Sequence, residues 1–110
     1  MADEKILTNE QKDESSTLVK FSKAYRFEGK DYTEVDLSGM DDLSAEDMIA
    51  ADRYLTRSGS FSVMPEMTLE YACFIAARAA KQPIEFFRGL PPKDALKVKN
   101  RVTSFFYSED

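Results

Sequence analysis

The stretch from Glu66 to Gln82, EMTLEYACFIAARAAKQ, is apolar around most of a helical circumference and is fenced by Pro65 and Pro83. At helical spacing Leu69, Ala72, Cys73, Ala76 and Ala80 share one face, while Tyr71, Phe74 and Ile75 share another. A helix with so little polar surface must be covered on several sides, and its alanines let neighbouring backbones come close. The chain has 110 residues, enough for one domain with one modest core. The remaining elements therefore have to wrap around this helix.

Those elements can be read on either side of it. Upstream, in LVKFSKAYRFEGKDYTEVDL, Phe21, Tyr25 and Phe27 alternate with polar or small residues, as do Thr33, Val35 and Leu37. The pattern predicts a hairpin. Pairing Phe27 with Thr33, Tyr25 with Val35 and Lys23 with Leu37 puts the apolar residues on one face, which implies a three- to five-residue loop around Gly29 rather than a tight turn. Such a hairpin needs helices beneath it, and its two outer edges remain open to pairing. Ser44 and Asp47 resemble a capping box opening a helix, with Leu43 and Met48 placed as a staple across its start. Met48, Ala51 and Leu55 form its inner stripe, and Gly59 ends it. The following loop carries Phe61, which is expected to be exposed. Downstream, PIEFFRG is a short helical piece. From Pro92 a last helix aligns Ala95, Val98, Val102, Phe105 and Phe106 on one side, with Leu96 and Tyr107 on a separate flank.

The expected fold is α+β and mainly helical, with an N-terminal hairpin packed on three main helices and a short one at 83–88. Residues 1–17, polar except for Ile6 and Leu7, read as a flexible tail, and residues 18–110 as one domain.

Composition narrows the chemistry. The chain has one cysteine and no histidine, so histidine-dependent triads and most zinc sites are not expected. Cys73, inside an apolar run, reads as a small core residue. The four glycines are scattered and make no phosphate loop, and DDLSAED lacks the alternating ligands of a calcium loop. No paired acid and base can be assembled, so no catalytic, cofactor-binding or metal residue is assigned and an enzyme is not expected. No apolar run has membrane-spanning length and the start carries no signal-like stretch, which points to work inside a cell.

The net charge of −5 is unevenly distributed. Residues 1–52 hold 14 acidic against 6 basic side chains, whereas residues 78–101 hold 7 basic against 2 acidic. The basic stretch is open to three readings. It is a solvated helix face, a nucleic-acid surface opposed by the acidic remainder, or one pole of an attraction between copies.

Three stretches, VDLSGMDDLSAEDM, ACFIAARAAKQPIEFFRGLPPKDALKVKNRV and the terminal FF, lie in an order that resembles the tail assembly chaperones of long-tailed bacteriophages over about residues 19–107. The resemblance implies a protein that self-associates and coats the long helical tape measure protein, keeping it soluble and helping to recruit tail-tube subunits. It implies action in the host bacterial cytoplasm and absence from the mature virion, without a cofactor. Many such proteins also have a longer frameshifted form, to which a chain ending FFYSED would be the short counterpart. The alternative is a small helical nucleic-acid-binding or transcription-regulating protein that uses basic residues 78–101.

Within QPIEFFRGLPP, Phe86 and Phe87 are about 100° apart on a helix. Either a crowded corner accepts both rings, or one enters the core beside Ile84 and Leu90 while the other faces a partner. On the second reading Phe86, Phe87, Leu90, Leu96, Phe106 and Tyr107 are the candidate partner-binding residues.

Overall fold

The computed structural model describes residues 17–59 and 63–107. The expected tail at 1–17, Thr17 apart, and the expected exposure of Phe61 lie outside the described residues. The fold is α+β and mainly helical: among the described residues an antiparallel hairpin is followed by four helices. No helix among the described residues is long and apolar enough to cross a membrane.

The hairpin joins β1 (Leu18–Phe27) to β2 (Lys30–Asp36), and its loop is tighter than expected. Phe27 pairs with Lys30 across the two residues Glu28 and Gly29, whose φ angles are 51° and 79°. Two left-handed residues in succession match the right-handed twist of the strands. The expected pairs are also replaced: Tyr25 stands opposite Tyr32, and Val19 opposite Val35. The two-residue turn sets the first of these pairs, and an irregularity between Lys20 and Tyr25 sets the second, because four residues, Phe21–Ala24, span the ladder opposite Thr33 alone. A bulge of this kind bends and twists its strand. Tyr32 and Val35 would fall on opposite faces of an evenly pleated strand, yet both reach the core side.

After β2 a 3-10 turn, Ser38–Asp42, buries Met40 and lays Gly39 against the central helix. A Cβ on Gly39 would collide with the carbonyl oxygen of Ala79, so glycine allows this close approach. Helix α1 (Ala45–Arg57) opens with the expected capping box. Its Ser44 Oγ accepts from the Glu46 N–H at 3.2 Å, and the Asp47 carboxylate accepts from the Ser44 N–H at 2.9 Å. Ala51 and Leu55 are buried as expected, whereas Met48 lies at the rim of their stripe and is exposed. Gly59, with φ of 84°, follows the helix end.

Helix α2 (Leu69–Ala80) is the centre of the fold and packs against the other three helices and both 3-10 turns. The turn Pro65–Met67 precedes it, and Thr68 caps it by accepting from the Tyr71 N–H. Tyr71, Ala72, Cys73, Ile75, Ala76, Ala77 and Ala79 are all buried. The helix ends at Lys81, in the left-handed conformation with φ of 57°. Helices α3 (Ile84–Arg88) and α4 (Pro92–Tyr107) complete the chain, with Ala95, Val98 and Val102 turned inward as their spacing predicts.

Candidate partner-binding groove

Phe86 and Phe87 leave α3 in different directions and both find cover, at 0% and 1% exposure. Of the two readings of the sequence, the crowded corner that accepts both rings holds, and neither ring faces outward. Phe86 points toward the hairpin, where Tyr32, Tyr25 and Phe27 present their rings at 4.9, 5.2 and 5.2 Å, all close to perpendicular. The Tyr25 hydroxyl donates to the Phe86 carbonyl at 2.8 Å, closing the aromatic corner over the short helix. Edge-to-face contacts of this kind add to the stabilisation from burial.

Phe87 turns to the other side and forms part of the floor of an open groove between α2, α3 and α4. Cys73, Leu90 and Ala95 share that floor, and Leu69, Glu70, Arg88 and Pro92 complete the lining of about 480 Å³. The floor residues are buried, while the Leu69 side chain stands half in solvent at the mouth. Polar groups are confined to one side, where Arg88 and Glu70 approach within 4.0 Å. Burial pushes the Cys73 thiol up to about 11, so it is a neutral apolar surface at physiological pH and not a nucleophile.

The six residues singled out from sequence therefore divide. Phe87 and Leu90 belong to the groove floor, and Phe86 belongs to the aromatic corner. Phe106 is half-buried, with its ring 6.0 Å from that of Tyr71. Leu96 and Tyr107 are each 51% exposed, on one flank of α4. They lie about 16 Å apart along the axis, too far to make one patch by themselves. Leu69 was missed as an outward residue. The signal was the apolar density of VMPEMTL, in which Val63, Met64, Met67 and Leu69 are all exposed.

Much of the basic segment is engaged within the chain. Lys97 Nζ donates to the Lys20 carbonyl at 2.9 Å, and Arg101 donates to the Leu18 carbonyl at 3.2 Å. Helix α4 thus covers part of the β1 edge that the sequence left open to pairing. Arg78 meets the Asp47 carboxylate at 2.7 Å, and Arg88 donates to the Tyr54 hydroxyl. These pairings use side chains that would otherwise offer positive charge to an anionic partner. Comparison with models of known protein families, with curated proteins and with solved structures returned no match.

Proposed function

We propose that this chain is a tail assembly chaperone of a long-tailed bacteriophage. In this role it binds the tape measure protein, keeps it soluble, helps to recruit tail-tube subunits and self-associates. It acts in the host bacterial cytoplasm and is left out of the mature virion. The observation that carries the reading is the open groove between α2, α3 and α4, floored by Cys73, Phe87, Leu90 and Ala95. Recognition of a helix needs an apolar trough that receives side chains at i, i+3 and i+4, and chemistry is unnecessary. The exposed Leu69 and Leu96 add apolar surface on α2 and α4, and Met67 adds it on the turn that precedes α2. The resemblance over residues 19–107 names the class of partner, a long helical protein.

Co-expression with a candidate tape measure protein tests the proposal. The expected result is more soluble partner and co-purification of the two chains. Leu69→Asp, at an exposed position on the groove mouth, should abolish the rescue while leaving the helical circular dichroism signal intact. If the partner stays insoluble and does not co-purify with the folded wild-type protein, the reading is wrong.

A further inference from the structure

The outward face of α1 carries a charge pattern that the other described residues leave unanswered. Ala51 and Leu55 point inward, so Glu46, Ile49 and Arg53 lie on the opposite side, with Arg57 one turn beyond. Glu46, Arg53 and Arg57 are exposed, and none has a side-chain partner among the described residues. Ile49 is 50% exposed between them. Arg53 and Arg57 are four positions apart and repel each other on the isolated helix. Glu46 cannot relieve them, because seven positions put it about 10 Å from Arg53 along the axis. Beside this stripe runs an open groove of about 260 Å³, lined by Ala50, Arg53, Tyr54, Arg57, Phe74 and Arg78. Its floor is aromatic: the Tyr54 and Phe74 rings are 5.3 Å apart, and the Arg78 guanidinium lies 5.0 Å from the Phe74 centroid.

We infer that this face binds a second copy of the chain, α1 against α1 and antiparallel, about a two-fold axis between Ile49 and Ala50. That axis places Glu46 of each copy opposite Arg53 of the other, because the two positions are equidistant from it. The same operation sets Ile49 of one copy against Ala50 of the other, at the mouth of the aromatic groove. Arg57 then faces the end of the second helix that Asp41 and Asp42 precede. Opposite charges too far apart to meet within one helix thus meet twice across the axis, and the antiparallel helix dipoles agree with the arrangement. One helix pair buries little area, so the dimer is weak and concentration-dependent. The inference deepens the self-association contained in the chaperone reading, but its geometry does not depend on that reading.

Charge reversal tests it. Sedimentation velocity at low ionic strength should show a monomer–dimer equilibrium in the wild-type protein. Glu46→Arg and Arg53→Glu should each weaken it by roughly tenfold or more, since each sets like charges face to face. An equimolar mixture of the two variants should recover a heterodimer, because the Arg at 46 then faces the Glu at 53 and Arg53 faces Glu46. Circular dichroism of each variant confirms that the helices persist. A dimer unmoved by either reversal, a mixture that stays monomeric, or a wild-type protein that is monomeric throughout would each overturn the inference. A monomeric variant that still solubilises the tape measure protein would leave the chaperone reading standing without this interface.

Discussion

The carboxylate of Asp94 is joined twice to Ser22, 72 positions earlier: it accepts from the backbone N–H at 2.9 Å and from the hydroxyl at 3.2 Å. Asp94 is fully buried, and Lys97 Nζ lies 3.7 Å from its carboxylate. The bond falls inside the irregular part of β1, where the ladder to β2 is interrupted. A carboxylate from α4 therefore supplies the acceptor that the neighbouring strand does not. Asp94→Ala removes it and leaves a strand N–H without its partner. The expected cost is roughly 2–4 kcal/mol, read from urea unfolding with an unchanged slope. Ser22→Ala, which keeps the backbone bond, should cost about 1 kcal/mol or less.

Phe86 and Leu96 are both large apolar residues singled out from the sequence as partner-binding candidates, but only the first is enclosed. Phe86→Ala empties the corner formed by the hairpin aromatics and should cost about 3–5 kcal/mol in the same unfolding experiment. Leu96→Asp should change stability by no more than about 0.5 kcal/mol. Its effect should appear in co-purification of the helical partner, which separates a folding residue from a docking residue.

Lys81 ends α2 in the left-handed region, where a side chain is strained and glycine is not. Lys81→Gly should stabilise the chain by about 0.5–1 kcal/mol, visible as a thermal midpoint a few degrees higher.

The start of α1 ties part of the acid stability to the Asp47 carboxylate. The backbone bond from Ser44, and then the bond from Arg78, hold the Asp47 carboxyl below its usual range. A lowered folded-state value means that the stabilisation is fully present above the ordinary carboxylate range. It is lost as pH falls through the lowered value, where the folded form must take up its proton. Thermal midpoints between neutral pH and strong acid should therefore fall more steeply for the wild type than for Asp47→Asn, which cannot ionise.

The helical part of this fold was legible because each signal acts locally. Ser44 and Asp47 cap α1 through neighbouring atoms, and the alanine-rich face of α2 can only be an interior. The hairpin register was not legible, for a physical reason. Alternation assigns faces only while a strand is evenly pleated, and the bulge opposite Thr33 breaks that parity midway. Its acceptor lies on α4, so no residue near Ser22 announces it. The candidate site failed in a similar way. Helical geometry correctly separates Phe86 from Phe87 by about a quarter turn. What covers each ring depends on the hairpin on one side and on α2 and α4 on the other. Lys97 and Arg101 likewise read as a charged surface until their backbone acceptors on β1 are known.

The clamp from α4 onto β1 also sets an order of events during synthesis. The two strands and their turn leave the ribosome early, but the acceptor for Ser22 comes from residue 94 and the caps on Leu18 and Lys20 from residues 101 and 97. A nascent chain that stops short of these positions holds a hairpin whose first strand lacks these partners, even with Phe86 already made. The hairpin is thus made before the residues that lock it, and truncation ahead of Asp94 should be felt there.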